Sequence, residues 1–442
     1  MNQIAPLIDH YLAEYARVER ELPGSPDCQR ARQAELKAFA QDGFPHTRME
    51  DWKYTSLKAV EKRHFEISDE PADITEAQLQ PYMPDDLDTY RLVIVDGHFS
   101  ARLSTLDDLP DGVQIGSFAA FLDGDDANRV KAEAIADEPG PLSALNAAFA
   151  TDGAYVEVAD GVCLDKPLHV LTVASGSHES RMNQVRHRFA MGSSSQATVI
   201  EHYVGLGEQP YFTNAVTEAI MGANAQLTRC RVQQESDRGY HVASFFAQQT
   251  RDSRIFNHAF DLGGRLARID TNTRLVDPNA EIHLYGVYAP TGRQHMDNHT
   301  RVDHATEHGI SREIYKGVLD GHGRGVFNGK IIVHADAQKT DSEQACDALL
   351  LSDKAEVDAK PELEIYADDV KCAHGSTVGQ LDEDAIFYLK SRGVDEAGAR
   401  AMLTFSFANE LVQKVGIEPI ERYVEAALLS KLPGGQGYAD LA

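Results

Sequence analysis

The sequence predicts a mainly β protein whose core is a β-solenoid flanked by α-helical regions. From about Tyr155 to Tyr366, short alternating runs rich in Val, Ile, Thr and Phe follow turn-forming clusters such as MGSSS and LGGRL, and no helical period is visible. The runs recur at about 28 to 30 residues, with a half-unit near 14, which fits one solenoid coil. Aligning the turn clusters matches Ala197 with Ala225, and Ala267 falls half a unit before Ala280. Apolar residues at three- and four-residue steps precede and follow this region, as in amphipathic helices.

The first 90 residues are predicted to be a mainly helical N-terminal region. Helical periodicity runs from Ile4, and a second run covers Cys28 to Ala40 after the break PGSP. A mixed segment then reaches about residue 150, with a strand-like RLVIVDG at 91–97 and a helical PLSALNAAFA at 141–150. These patterns place the first strands of the core after the N-terminal helices.

The predicted β-solenoid core spans residues 91–370, including the mixed segment, and the C-terminal helical domain spans 371–442. In the latter, Gly393 predicts a helix stop and Asp395 an N-cap. Apolar residues return to helical spacing there, as in Ile420, Val424, Leu428 and Leu432. A β-sandwich with regular hairpins remains an alternative for the core, because closely spaced strands also produce turn clusters.

Composition narrows the classes of function. The 442 residues carry 42 Lys and Arg against 69 Asp and Glu, a formal net charge of −27, which repels nucleic-acid phosphates and anionic lipid. We therefore expect neither nucleic acid nor membrane as a partner. The N-terminus is amphipathic and acidic, unlike a typical signal or transit peptide. Five cysteines, none of them in CxxC, argue against a disulfide framework and indicate a reducing cytoplasm.

The segment HMDNHTRVDHATEH invites a metal-site hypothesis. It contains two HxxxH pairs, His295 with His299 and His304 with His308, and the members of each pair would lie one turn apart on a helix. The surrounding alternation predicts a strand, however, on which residues four apart are separated by about 13 Å, too far to share one ion. A structural or solvated role is favoured. A homodimeric metal-binding protein that uses this run remains a competing hypothesis.

Cys372 and His374 form a second candidate site. One residue separates them, so on an extended strand both side chains point the same way. A thiol and an imidazole together suit a soft metal or a sulfane sulfur, but two ligands are too few for an iron–sulfur cluster, so a second chain would have to supply the others. The alternative is a small buried thiol beside a hydrogen-bonded structural histidine.

A stand-alone β-solenoid polysaccharide lyase or hydrolase also remains a competing hypothesis for the whole protein, although no sequence motif specifically indicates it.

The run CAHGSTVGQLDEDAIFYLKSRGV, from Cys372 to Val394, resembles the junction sequence of the SufB/SufD family of iron–sulfur cluster assembly proteins, with Ser376 at the usual alanine. The similarity extends upstream to Val326. RMEDWKYTSL resembles the box of the SufD-like branch, as does His374 followed by glycine. Within this box we expect Trp52 to be an aromatic anchor that packs the helical region onto the solenoid, with Arg48 and Glu50 paired nearby. Lys53 and Tyr54 belong to the same structural motif.

The resemblance implies a right-handed parallel β-helix between helical terminal domains and a non-catalytic scaffold role in the SufBCD complex. Such a subunit pairs with a SufB-like paralogue through its β-helix and docks a SufC-like ABC ATPase on its C-terminal helices. His374 would contribute to a nascent cluster shared with the partner, and Cys372 lies in the same motif. No cofactor would be tightly bound alone, the cluster would be transient, and a homodimer would be compatible without the partner. The helices of the implied docking region carry Phe387, Leu389, Arg392, Leu403 and Phe407.

Overall fold

The computed structural model describes residues 4–124 and 140–433. In this part of the chain two ten-stranded sheets form the core, and from β5 to β20 successive strands alternate between them. Sheet I has the order β19-β17-β15-β13-β11-β9-β7-β5-β4, with β1 paired to β7, and sheet II has the order β20-β18-β16-β14-β12-β10-β8-β6-β2-β3. The strands are β1 Glu66–Ile67, β2 Tyr90–Val95, β3 His98–Phe99, β4 Val113–Ser117, β5 Ala154–Val158, β6 Leu168–Ala174, β7 Arg181–Met191, β8 Gln196–Gly205, β9 Tyr211–Met221, β10 Gln226–Gln234, β11 Gly239–Gln249, β12 Arg254–Asp261, β13 Leu266–Leu275, β14 Glu281–Tyr288, β15 His295–His304, β16 Ile310–Leu319, β17 Arg324–Val333, β18 Asp341–Leu350, β19 Glu356–Ile365 and β20 Lys371–Gly379.

This arrangement is a β-solenoid of about eight turns, so the predicted mainly β solenoid is confirmed. From β5 onward each strand pairs in parallel with the strand two places later in the chain, as β10 does with β12. Hairpin neighbours would instead pair antiparallel in one sheet, so the β-sandwich alternative is wrong. The coil length varies, because the step from Arg254 to its partner Glu281 is shorter than the step from Ile310 to its partner Asp341.

One detail of the predicted repeat is wrong. We matched Ala197 with Ala225 by their turn clusters, whereas the structure pairs Ala197 with Leu227. The physical reason is that turns differ in length between coils, so a turn residue does not mark a fixed ladder position. The predicted half-unit is the step from one sheet to the other, which is why Ala267 lies in β13 of sheet I.

Most of the described helices pack against the outside of the solenoid, and the helix Glu383–Ser391 packs against the helix that follows it. The helices are α1 Ile4–Val18, α2 Pro26–Asp42, α3 Lys58–Glu61, α4 Glu76–Leu79, α5 Phe118–Asp123, α6 Gly140–Phe149, α7 Glu383–Ser391, α8 Glu396–Val412 and α9 Glu418–Lys431, with 3₁₀ turns at Glu50–Trp52, Gln80–Tyr82 and Gln413–Val415. Near the N-terminus, Tyr11, Phe39 and Phe149 form one buried cluster with Met182 and Phe212 of sheet I. This cluster attaches α1, α2 and α6 to that sheet.

The C-terminal helices lie on the other sheet. Leu411 of α8 and Val424 of α9 are buried in a cluster with Cys230 and Phe260 on the outer face of sheet II. The predicted cap is present, since the side chain of Asp395 accepts a hydrogen bond from the Gly398 N–H at 2.7 Å. None of the described helices combines the length and the hydropathy needed to cross a bilayer.

The structure refines two predicted boundaries. Residues 371–379, which we placed with the C-terminal helices, form β20 of the solenoid, and the first helix after it begins at Glu383. The predicted N-terminal helical region likewise contains the short strand β1. Residues 125–139 of the predicted mixed segment and 434–442 of the predicted C-terminal domain lie outside the described residues.

Candidate functional site

The solenoid has an open end formed by its last two strands, β19 and β20. Each pairs on one side only, β19 with β17 and β20 with β18, and no described element pairs with their outer edges. Apolar side chains are exposed here: Val378 is 49% exposed, Ile365 40% and Tyr366 65%. Unpaired strand edges and exposed apolar side chains are features of surfaces that add another chain.

Cys372 and His374 lie on β20, at this open end. They pair in register with Ser342 and Gln344 of β18, which are both buried in the solenoid, so the two side chains lie on its inner side. Cys372 is half-buried at the rim of the apolar core, and burial raises the pKa of its thiol. His374 is exposed. The alternative of a buried structural histidine does not agree with this exposure.

The inner position occupied by His374 continues into the solenoid as a row of polar residues. Gln344 lies one coil below, and Glu313 of β16 lies one coil further. Gln344 Nε2 donates a hydrogen bond to Glu313 Oε2 at 2.7 Å. Glu313 is fully buried, and this burial raises the pKa of its carboxyl to about 7. Gln344 and Glu313 were not predicted from the sequence, although their separations of about one and two coils from His374 contained the signal.

The residues expected to dock an ATPase fall into two groups. Phe387 on α7 is 73% exposed, and Arg392 is exposed with its guanidinium 5.1 Å from the centre of the Tyr388 ring. Leu389, Leu403 and Phe407 are half-buried. The Lys316 Nζ lies 4.7 Å from the centre of the Phe407 ring and donates to the Phe407 carbonyl at 3.0 Å, so Phe407 helps to attach α8 to the solenoid.

The box around Trp52 contacts sheet I. The Arg268 guanidinium lies 4.4 Å from the centre of the Trp52 ring and donates to the Asp51 carbonyl at 2.8 Å. The predicted pair of Arg48 with Glu50 is wrong: Glu50 forms its ion pair with Lys360 of β19, at 2.8 Å, because the fold brings that ammonium next to the box. Arg48 is exposed, and the Lys53 ammonium lies 5.3 Å from the centre of the Tyr54 ring. The box therefore ties the N-terminal region to β13 and β19.

His295, His299 and His304 of the histidine run lie on a strand, β15, as predicted, and their imidazoles have separate partners, whereas His308 lies in the turn that follows. His295 Nε2 lies 2.7 Å from Thr55 Oγ1, and His299 Nε2 lies 3.1 Å from Asp297 Oδ1. His304 lies in the interior, with its Nε2 2.9 Å from Ser311 Oγ. The described residues contain no group of three or more metal-ligating side chains, so the competing metal-site hypothesis gains no support from this run.

A cavity of about 270 Å³ lies beside Trp52 on the outer face of sheet I. Its walls carry Asp270 and Glu362, but also Arg268, Arg301 and Lys330. The lyase or hydrolase hypothesis predicts a deep acid-lined cleft along one face of the solenoid. A lining of mixed charge does not meet this requirement.

The repeated coil, the two facing sheets and the exposed last strands define a β-solenoid protein whose last coil is open. Comparison with known proteins agrees: the family model for the SUF system FeS cluster assembly SufBD core domain matches residues 173–407, and the model for the SufBD protein N-terminal region matches residues 1–170. The chain belongs to the SufBD family of iron–sulfur cluster assembly proteins, which confirms the resemblance seen in the sequence.

Individual relatives cover nearly the whole chain. It is 32% identical over 436 residues to the iron–sulfur cluster assembly protein SufD of Escherichia coli K12, which covers 96% of each chain. It is 31% identical over 389 residues to a SufBD family protein of Synechocystis, covering 86% of this chain and 85% of the relative. It is also 28% identical over 433 residues to the chloroplastic protein ABCI7 of Arabidopsis thaliana, covering 93% and 88%. The chain is thus SufD-like.

Proposed function

We propose that this chain is the non-catalytic, SufD-like scaffold subunit of a cytoplasmic SufBCD-type complex, in which its open end pairs with a SufB-like paralogue and His374 contributes to the nascent iron–sulfur cluster. The observation that carries the proposal is the exposed His374 on the last strand of the solenoid, beside an unpaired strand edge. A histidine in this place can reach ligands that a second chain brings to the same edge. The cluster is the product under assembly.

Strand pairing at the outer edge of β20 would hold this chain and its SufB-like partner together. The outer edge of β20 presents backbone N–H and C=O groups to which a partner strand can add. Val378 and Tyr366 give the same surface exposed apolar area, which burial against a partner would stabilise. Because two ligands are too few for a cluster, Cys372 and His374 need the partner's side chains as well. We assign His374 the main role, since Cys372 is half-buried and burial raises the pKa of its thiol, which disfavours the ligating thiolate.

The ATPase is proposed to dock on α7 and the start of α8. Phe387 and Tyr388 are exposed aromatic side chains on one short helix, which is the kind of anchor that interfaces use. The SufB-like partner would dock a second ATPase, and closure of the two ATPases on each other would move the C-terminal helices. Leu411 and Val424 would transmit this movement to the solenoid, because they pack these helices on sheet II.

Co-expression with a SufB-like protein and a SufC-like ATPase tests the proposal. We expect one complex in size-exclusion chromatography and a visible absorbance band from a bound cluster. His374→Ala should leave the complex intact and lower the band by at least about tenfold, the loss typical of a cluster-site ligand or its support. Failure of the wild-type chain to associate with either partner would contradict the scaffold function.

His308 offers a matched control for the histidine substitution. It lies in a turn with φ 60° on an earlier coil, away from the open end. His308→Ala should keep the full absorbance band. An equal loss in both variants would mean that His374 has no special part in assembly.

A further inference from the structure

Glu313, Gln344 and His374 occupy the same inward position on three consecutive coils of sheet II. Glu313 pairs in register with Gln344, and Gln344 pairs with His374. Paired strands lie about 4.8 Å apart, so side chains at matching positions stack directly above one another. The exposed imidazole therefore stands one coil above a buried amide, and the amide stands one coil above a buried carboxyl.

The carboxyl fixes which way the amide points. Gln344 Nε2 donates to Glu313 Oε2 at 2.7 Å, and this oxygen can accept whether the carboxyl is neutral or ionised. The NH₂ group of Gln344 is thereby directed toward Glu313. Gln344 Oε1 is buried and has no hydrogen-bond partner among the described residues. Buried acceptors nearly always have a hydrogen-bond donor. Because Gln344 Oε1 lies one coil below His374, the missing donor is expected on the coil that carries His374.

The opposite sheet leaves room for this amide. A Cβ added at Gly329 of β17 would lie 2.3 Å from Gln344 Nε2 and 2.8 Å from its Cδ. A glycine within a strand commonly marks a place where another group approaches closely. The Gln344 amide thus has a defined position between the two sheets. Its hydrogen bond to Glu313 holds it there, and the absence of a side chain at Gly329 leaves the space that it fills.

We propose that Gln344 is the positioning residue for His374: its free Oε1 accepts a hydrogen bond from one ring nitrogen of His374, which leaves the other nitrogen directed out of the open end. Glu313 acts through Gln344 by holding the amide. An outer-shell acceptor of this kind selects the tautomer and the orientation of a ligating imidazole. The inference deepens the proposed function and rests on it for the role of His374 in assembly.

Histidine-selective ¹⁵N labelling of the full chain tests the inference, free and in complex with the SufB-like partner. The ring nitrogen shifts report which nitrogen carries the proton, and His374→Ala identifies the signal. We expect one dominant tautomer in the wild type and a mixture in Gln344→Met, which keeps the side-chain length without the acceptor. The exchanged pair Glu313→Gln with Gln344→Glu keeps a hydrogen-bonded pair and an acceptor below His374, and should restore the single tautomer.

The readouts separate this inference from the proposed function. Identical tautomer populations in wild type and Gln344→Met, both free and bound, would overturn the inference whatever the cluster yield. Full cluster yield with His374→Ala would overturn the proposed role of His374 and leave the tautomer result standing. If Gln344→Met does not fold, the exchanged pair alone decides, because it must then show the wild-type tautomer for the inference to hold.

Discussion

The Arg268 guanidinium lies beneath the Trp52 ring, 4.4 Å from its centre, and the Arg268 side chain is almost completely buried. The same guanidinium donates to Asp297 Oδ2 at 2.7 Å. Asp297 is also buried; burial alone would raise the pKa of its carboxyl, but the charge of Arg268 holds that pKa well below its ordinary value. The Trp52 indole thus shields the buried ion pair of Arg268 and Asp297 from solvent.

Trp52→Ala should therefore destabilise the protein more than its partial exposure suggests. The substitution removes the cation–π contact and admits water to the ion pair, and we expect the free energy of unfolding to fall by about 2 kcal/mol. Trp52→Phe should recover about half of the loss. Urea unfolding followed by circular dichroism measures both. Lys53→Ala, at the exposed neighbouring position, is the control and should change stability by less than about 0.5 kcal/mol.

Glu313→Gln should change how stability depends on pH. Burial raises the pKa of this carboxyl from 4.5 to about 7, so between these values the unfolded chain releases a proton that the folded chain keeps. Stability therefore falls as pH rises through this window, by about 3 kcal/mol for a shift of this size. The neighbouring Tyr315 and Cys346 are neutral throughout it, since burial raises the pKa of each.

The variant removes this carboxyl, so it should be more stable than the wild type at about pH 8, with little difference at about pH 4.5. Urea unfolding at a series of pH values measures the two curves. Glu343→Gln, an exposed carboxyl on β18, is the control and should leave the wild-type pH dependence in place. Parallel curves for wild type and Glu313→Gln would contradict the assignment.

Glu201 and Arg229 form a buried bidentate ion pair inside the solenoid, with nitrogen–oxygen distances of 2.6 and 2.8 Å. Burial alone would raise the pKa of Glu201, but Arg229 lowers it to about 2. The pair's contribution to stability is therefore complete above about pH 4.5 and is lost as pH falls toward 2. Glu201→Gln leaves a buried cation without its counter-charge and should cost about 3 to 5 kcal/mol.

The double variant Glu201→Leu with Arg229→Met is the matched control for this pair. It replaces both charges by apolar side chains of similar size, so it should unfold at a higher urea concentration than Glu201→Gln. If the double variant is the less stable of the two, the loss comes from packing and the ion-pair explanation is wrong.

Phe387→Asp should separate docking from folding. Phe387 is 73% exposed, so the substitution should leave the unfolding midpoint within experimental error and weaken binding of a SufC-like ATPase by at least about tenfold, or about 1.4 kcal/mol. Calorimetric titration of the purified chain measures it. Phe407→Asp should instead lower stability, because the Phe407 ring packs beneath Lys316. Unchanged affinity with Phe387→Asp would exclude α7 as the docking helix.

The sequence predicted the solenoid because alternation and turn spacing are local signals. It predicted the strand through His295 and His299 for the same reason, and the cap at Asp395 from a single residue type. It could not set the ladder register, since the length of each coil depends on how its turns close, and the coils differ. A small register error was enough to match Ala197 with Ala225 instead of its true partner, Leu227.

The residues beneath His374 were not predicted for the same reason: the sequence does not set the register between coils. Gln344 and Glu313 carry no motif, and their significance comes only from lying one and two coils below the histidine. Similarly, the partner of Glu50 could not be read from its neighbourhood, because Lys360 is 310 residues away in the chain. Long-range pairing of this kind is set by the solenoid geometry rather than by local composition.

The open end also has a consequence for how the protein must be produced. Two unpaired strand edges flanked by exposed Tyr366 and Val378 form a template on which a strand of another chain, including a second copy, can pair. If the SufB-like chain covers this end as we propose, synthesis in excess over that partner should favour self-association, and balanced supply of the two chains should suppress it. A surface suited to binding a partner thus makes self-association of this chain depend on the ratio in which the two chains are synthesised.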